Sequence, residues 1–262
     1  MTGAMRRPLV MANWKINMDP DQVQPYLQQV IPEVNKDTGA DVAIAAQDLY
    51  LTQMVKETAG SRLAIAAENA HWTDDGAYTG ETSPKALALV GVSYVLVGHF
   101  ERRKLFNETD ERVNLKTKAA LKNGLKPIVD LDEDLSAYAK EDKKTIVLKQ
   151  LKIALEGITA EEMANVAIAY EPTWAIGSGE AASAEQAEKS AEFIRQSLVN
   201  LYDQKVADQT RILYGGSVTT ENAADFLSQE DIDGILVGKA ALKPESFLKL
   251  IDIAQETGSA SN

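Results

Sequence analysis

The chain contains no cysteine. That excludes a disulfide framework and any thiolate chemistry. Histidine is nearly as scarce. Only His71 and His99 are present, far apart in sequence, so no metal-ligand spacing can be read and no metal is expected. Positive charge is in deficit: 27 Lys and Arg against 39 Asp and Glu leave a net charge of −12. That disfavours nucleic acid and anionic membrane as partners. No apolar run approaches the roughly 20 residues needed to span a bilayer. The apolar stretch after Arg6 and Arg7 is too short for a signal peptide, so a cytoplasmic protein is expected. A nucleophile-elbow sequence and a Gly-rich dinucleotide fingerprint are also missing, which argues against Ser/His/Asp hydrolysis and against an open dinucleotide-binding sheet. What remains is an ordinary globular composition, 45% hydrophobic and 25% charged over 262 residues. It is enough for one large α/β domain or two small ones.

Eight short apolar runs recur along the whole length: Leu9–Ala12, Val42–Ala45, Leu63–Ala66, Tyr94–Val97, Pro127–Val129, Val166–Ala169, Ile212–Tyr214 and Ile235–Val237. They are nearly continuous rather than alternating, which suits parallel strands covered on both faces. Between them lie amphipathic segments. In Ala184–Tyr202, residues Ala187, Ala191, Ile194, Leu198 and Leu201 fall on one helical face. Glu221–Leu227 is another. Eight strand–helix units in this length predict a closed (β/α)8 barrel, a single domain spanning 1–262 with the barrel over 6–253. A short N-terminal extension and a disordered tail from Glu256 to Asn262 complete the chain. An open doubly wound sheet is the alternative fold.

The segment AYEPTWAIGSG (169–179) combines the features of a base with a lid. An apolar strand delivers one carboxylate, Glu171. Pro172 and Trp174 stiffen the exit, and Gly177, Ser178 and Gly179 form a small-residue tip. A carboxylate at the dry mouth of a barrel has a raised proton affinity and can take a proton from carbon. His99 follows an apolar strand. A helix starting after it would place its positive end near the imidazole and keep the ring neutral, able to donate to a developing oxyanion. Lys15, beside Asn13 and Trp14, offers positive charge for a phosphate and an oxyanion. Tyr214-Gly215-Gly216-Ser217 and Val237-Gly238 are small-residue turns whose N–H groups can approach a phosphate. Each group has a bland alternative: an ion-paired Glu, a core histidine, a surface lysine, a common Gly-Gly turn. Their shared position at strand C-terminal ends, which converge on one mouth, favours function. His71 lies in a polar loop and receives no catalytic role.

Together, in order and spacing, NWKIN (13–17), GAYTGE (76–81), VGHFERR (97–103), AYEPTWAIGSG (169–179), ILYGGSV (212–218) and DGILVG (233–238) resemble the triosephosphate isomerase family from about residue 7 to residue 252. The resemblance implies a TIM barrel that needs no cofactor and interconverts dihydroxyacetone phosphate and glyceraldehyde 3-phosphate, a step of glycolysis and gluconeogenesis. This family is itself the standard example of a Glu base working with a neutral His under a closing loop. Carried over by motif, Glu171 is implied as the base and His99 as the electrophile. Lys15 and Asn13 face the substrate, and Glu101 supports Lys15. Gly177, Ser217 and Gly238 are implied as backbone phosphate donors. The loop around Thr79 is implied to interdigitate with a second copy near its Asn13, making a homodimer.

Several positions depart from the family pattern: Phe100 for a usual Ser, Lys239 for a usual Gly, and Asp130-Leu131-Asp132-Glu133 for a Cys-Val-Gly-Glu-like run. In the lid, Thr173 replaces Val, Ser178 replaces Thr and Glu180 replaces Lys. The Phe100 ring is expected to crowd the base. The acids are expected near the mouth, where Lys239, an added substrate-binding candidate, would offset their repulsion of phosphate. These changes keep two alternatives open: a paralogous isomerase of another small ketose phosphate such as a tetrulose phosphate, and a weakened barrel used for binding.

Overall fold

The interior of the barrel is built from small and branched residues that recur every second position along the strands. A computed structural model describes residues 6–36, 39–133, 143–174 and 182–260. Its strands are β1 (Leu9–Asn13), β2 (Asp41–Ala46), β3 (Leu63–Ala67), β4 (Tyr94–Val97), β5 (Lys126–Asp132), β6 (Ala167–Glu171), β7 (Arg211–Tyr214) and β8 (Gly234–Val237). All pair in parallel and β8 closes onto β1, so the sheet is a closed eight-stranded barrel. All eight predicted strands are present.

Side chains alternate across each strand. Leu9, Met11, Ala43, Ala45, Ala66, Leu96, Ile128, Ala167, Ala169, Leu213 and Leu236 form one buried cluster inside the barrel. The opposite faces, including Val10, Val42, Val95, Val129, Ile168, Ile212 and Ile235, pack outward beneath the helices. Both faces are therefore dry, which is why the strands read as apolar runs.

The helices are α1 (Pro20–Val34), α2 (Asp48–Glu57), α3 (Pro84–Val90), α4 (Phe100–Phe106), α5 (Asp110–Lys122), α6 (Lys143–Ala154), α7 (Ala184–Leu201), α8 (Gln204–Gln209), α9 (Ala223–Leu227) and α10 (Pro244–Ala260). In α7 the expected stripe is seen: Ala187, Ala191, Ile194 and Leu198 are buried. Its start is fixed by a capping box. The Ser183 hydroxyl accepts the Gln186 N–H at 3.2 Å and the Gln186 carboxamide accepts the Ser183 N–H at 2.9 Å. At the far end of the barrel, buried Arg195 bonds Asp231 and Asp233 and ties α7 to the approach to β8.

Three boundaries differ from expectation. The tail is helical through Ala260, because Gln255 and Glu256 continue a good helix-forming run and the Thr257 hydroxyl bonds back to Ile253 O at 3.0 Å. The segment 221–227 becomes helical only from Ala223, since the Asn222 side chain is spent on the Thr219 N–H at 2.7 Å. Glu171 is the last residue of β6 rather than two past the predicted run, because β5 runs on to Asp132 and pairs with it.

Candidate active site

The alternation that builds the barrel interior also delivers the chemistry. Asn13 ends β1 two residues above interior-facing Met11, and Glu171 ends β6 two residues above Ala169. Both therefore emerge on the inner face at the C-terminal rim. Asn13 and Glu171 are almost fully buried.

His99 reaches the same point through a glycine turn. Gly98 has φ 79°, and a Cβ there would meet Val113 at 2.8 Å and Arg103 at 2.9 Å. A side chain is barred on both counts. Helix α4 does begin directly after His99, whose ring acts as its cap: the Glu101 N–H points at Nδ1 at 3.3 Å. That bond makes Nδ1 the acceptor and turns a protonated Nε2 toward Glu171. Arg103 locks the turn from below. Its guanidinium bonds Gly98 O at 2.6 Å, Asp130 O at 3.1 Å and the Asp110 carboxylate at 2.5 Å.

The groups meet in one chain of contacts. His99 Nε2 lies 3.1 Å from Glu171 Oε1. Glu171 Oε2 accepts the Phe100 N–H at 3.0 Å. Lys15 Nζ is 2.6 Å from Glu101 Oε1, and Glu101 Oε2 is 3.5 Å from His99 Nδ1. Lys15 has φ 52°, a left-handed backbone uncommon for lysine, with its N–H on Asn13 Oδ1 at 3.3 Å. Such strain is held only by a rigid surround and concentrates at functional sites. Buried Trp14, edge-on to Tyr26 with ring centroids 4.9 Å apart, supplies part of that surround.

Burial pushes the His99 imidazole down most strongly, but the Glu171 carboxylate, through its charge and its hydrogen bond, and the nearby Asp130 carboxyl together outweigh it, and the ring is raised to about 9. The helix cap favours the neutral ring and the adjacent carboxylate favours the protonated one, so the charge of the ring turns on whether Glu171 lies against it. The helix cap is present, yet Glu171 dominates while it rests on the imidazole. When the carboxylate moves off, burial, Lys15 and the α4 N–H groups all favour the neutral ring.

Gly215 and Gly238 complete the rim. A Cβ at Gly215 would lie 2.9 Å from Glu171 Cγ, and one at Gly238 would lie 3.9 Å from Asn13 O and from Lys15 Cε. Ser217 and Lys239 stand on exposed turns after β7 and β8. Thr79 is exposed on its loop. Gly177, Ser178, Gly179 and Glu180 lie outside the described residues.

The departures are placed differently from expectation. The Phe100 ring packs on His99, with centroids 4.8 Å apart, and lies under Lys15 Nζ at 5.2 Å. Its backbone N–H bonds the base. Asp130 and Glu133 do not face the mouth; both are buried, and the Tyr170 hydroxyl donates to Glu133. Asp132 accepts the Thr173 hydroxyl, so two departures form one pair at the root of the lid segment. Among the described residues, Asp130 and Glu133 therefore form no exposed acid patch for Lys239 to offset.

Sequence reasoning passed over two groups. Glu68, just past β3, has its carboxyl pushed up to about 7 by burial, partly countered by the Lys15 N–H. It lines a groove of about 720 Å³ with Asn13, Lys15, His99 and Glu101. Arg103 was read only as part of a motif. A buried-face Glu after a strand is a usable signal for the first; nothing in the spacing reveals the second. Among the described residues no group of three or more His, Asp or Glu is arranged to hold a metal ion, and no helix is long and apolar enough to cross a membrane.

A closed parallel barrel with a buried carboxylate, an imidazole and a lysine converging at the strand C-terminal ends defines a barrel enzyme built for proton transfer on a small anion. Comparison with known proteins agrees. The sequence matches the family model for triosephosphate isomerase over residues 8–254. It is 45% identical over 247 residues to the triosephosphate isomerase of Lactobacillus helveticus, covering 94% of this chain and 98% of that protein. It is 44% identical over 248 residues to the one from Lactiplantibacillus plantarum, with 95% and 98% covered. It is also 44% identical over 248 residues to the one from Alkaliphilus oremlandii, with 95% and 100% covered. The chain belongs to the triosephosphate isomerase family, and it is an isomerase.

Proposed function

We infer that the chain interconverts dihydroxyacetone phosphate and D-glyceraldehyde 3-phosphate by proton transfer through an enediolate. The observation that carries this reading is the run of contacts from Lys15 to the Glu101 carboxylate, from the Glu101 N–H to His99 Nδ1 and from His99 Nε2 to Glu171, held at the barrel mouth in a family member.

Glu171 takes a proton from the carbon beside the carbonyl. The C–H electron pair becomes the carbon–carbon double bond, and the carbonyl electrons move to oxygen. His99 Nε2–H donates to that oxygen and recovers a proton from the neighbouring hydroxyl. Glu171 then returns its proton to the other carbon, so atoms and charge balance. In the resting site Nε2 and Glu171 occupy one another. Substrate entry exchanges that contact for one contact each with substrate, and His99 enters the reaction as the neutral ring, its Nδ1 accepting the Glu101 N–H and its Nε2 carrying the one proton. Lys15 offsets charge on the oxyanion and phosphate. Backbone N–H groups near Gly177, Ser217 and Gly238 bind the phosphate, with Lys239 at its edge and Asn13 against the substrate. The lid segment excludes water while the enediolate exists.

The working form is a homodimer, and the chain as a whole is one barrel domain. Ile16, Leu49, Leu89, Leu105 and Phe106 are exposed, at 84%, 75%, 78%, 66% and 61%. Ile16, Leu105 and Phe106 rim the groove beside Lys15 and His99. Exposed apolar residues gathered at one groove, as these three are, mark an interface. A second copy's loop around Thr79 fits the groove. The reaction belongs to glycolysis and gluconeogenesis in the cytoplasm.

A coupled assay with purified protein tests the reading. Efficient turnover of glyceraldehyde 3-phosphate is expected. Preference for a tetrulose phosphate would transfer the function to a paralogous isomerase, and no turnover of either would leave a binding barrel.

A further inference from the structure

Asp130 is a buried carboxyl that the reaction as derived does not use. It lies on β5 two residues above Ile128, whose side chain is in the interior cluster, and pairs in register with Ala169 of β6. Alternation therefore aims it into the barrel, one layer beneath the rim where Glu171 stands. It is fully buried, and among the described residues neither carboxyl oxygen has a hydrogen-bond partner.

The charges around it are already committed. From β6 it faces Glu171, from the β4 end His99, from α4 Arg103, and from the turn after α4 Glu108. Arg103 bonds the backbone oxygen of Asp130, but its charge is matched by the Asp110 carboxylate. Glu108 is matched by Arg102 and Lys116. Lys15 is matched by Glu101. Among the described residues, each cation near Asp130 thus already has an acidic partner. Burying an unpaired carboxylate is far more costly than burying the acid.

We propose that Asp130 is a positioning residue, held as the neutral acid under His99 and Glu171, so that of these two stacked carboxyls only Glu171 carries the charge. Two ionised carboxylates in this layer would repel each other and draw the His99 proton toward Asp130. With Asp130 neutral, Glu171 alone is the proton acceptor, and it is free to leave His99 for the substrate. Burial and the neighbouring Glu171 both push the Asp130 carboxyl well above its ordinary range, which agrees with this arrangement.

The inference rests on Glu171 being the base, and its test separates the two. Infrared difference spectra of the full chain at pH 7 compare wild type with Asp130→Asn. A protonated-carboxyl C=O band present in wild type and missing from the variant is expected; its absence overturns the proposal whatever the activity. Kinetics on glyceraldehyde 3-phosphate give the second readout. Asp130→Ala, which opens a space under Glu171, is expected to lower kcat about ten-fold by loosening the base. Asp130→Asn keeps the shape without the titrating proton. It is expected to restore most of that loss and to move the alkaline limb of the kcat profile upward. An Asn variant as impaired as the Ala variant, or one with the wild-type profile, overturns the proposal. A wild-type protein without isomerase activity would instead overturn the functional reading, leaving the infrared result to judge Asp130.

Discussion

Gly215 offers a way to displace the base without touching it. A Cβ built there would stand 2.9 Å from Glu171 Cγ, 3.5 Å from Oε1 and 3.4 Å from Tyr170 O. Carbon–carbon contact is comfortable only from about 3.5 Å. Gly215→Ala therefore drives the Glu171 side chain back by roughly 0.5 Å, straight out of its contacts with the Phe100 N–H and His99. A misplacement of about 1 Å costs on the order of 100-fold in rate. Half that displacement should cost about ten-fold in kcat, or about 1.4 kcal/mol. KM for glyceraldehyde 3-phosphate should move little, because the Gly215 N–H serves Tyr170 O rather than the substrate. Gly216→Ala is the control. Its Cβ would fall 2.2 Å from the Tyr214 hydroxyl oxygen, on a ring stacked at 4.0 Å on Phe226. That change should lower the unfolding free energy by about 1–3 kcal/mol through overpacking. Coupled steady-state kinetics and urea unfolding read both variants. A folded Gly215→Ala protein with wild-type kcat would refute the reasoning.

Other consequences follow from the same contacts. The His99 pKa, about 9 against an ordinary 6.5, is raised by folding, so its contribution to stability is full below pH 6.5 and lost as pH climbs to about 9. It is on the order of 3 kcal/mol. Urea unfolding from pH 6 to 10 should show that loss in wild type and a flatter curve in His99→Gln; superimposable curves would contradict it. Lys15→Met removes a charge-assisted donor and should raise KM for the phosphorylated substrate about ten-fold or more while leaving Tm nearly unchanged, since half-exposed ion pairs contribute about 1 kcal/mol or less. A thermal shift larger than the kinetic effect would make Lys15 structural.

The strands were legible because both their faces are dry, and the rim residues because a strand end is a fixed place in a barrel. Glu171, His99 and Lys15 needed no side-chain geometry to be found. Electrostatics were less legible. The charge state of His99 turns on a carboxylate 72 residues away in sequence, and the roles of Asp130 and Glu133 depend on which face of β5 the first occupies and on where the chain turns just past its end. A mouth position was inferred for both acids from proximity in sequence to the strand end. Interior alternation put one beneath the rim, and Tyr170 drew the other into the wall. Phe100 adds a contact that residue type and spacing do not reveal: its backbone N–H bonds the base.

The central claim, that Glu171 moves the proton between carbons, is tested most directly by isomerising dihydroxyacetone phosphate in D2O and following solvent deuterium at carbon by NMR. Wild type should incorporate deuterium as it isomerises, and folded Glu171→Gln should lose both exchange and isomerisation. Exchange in Glu171→Gln at the wild-type rate would contradict the assignment of the base.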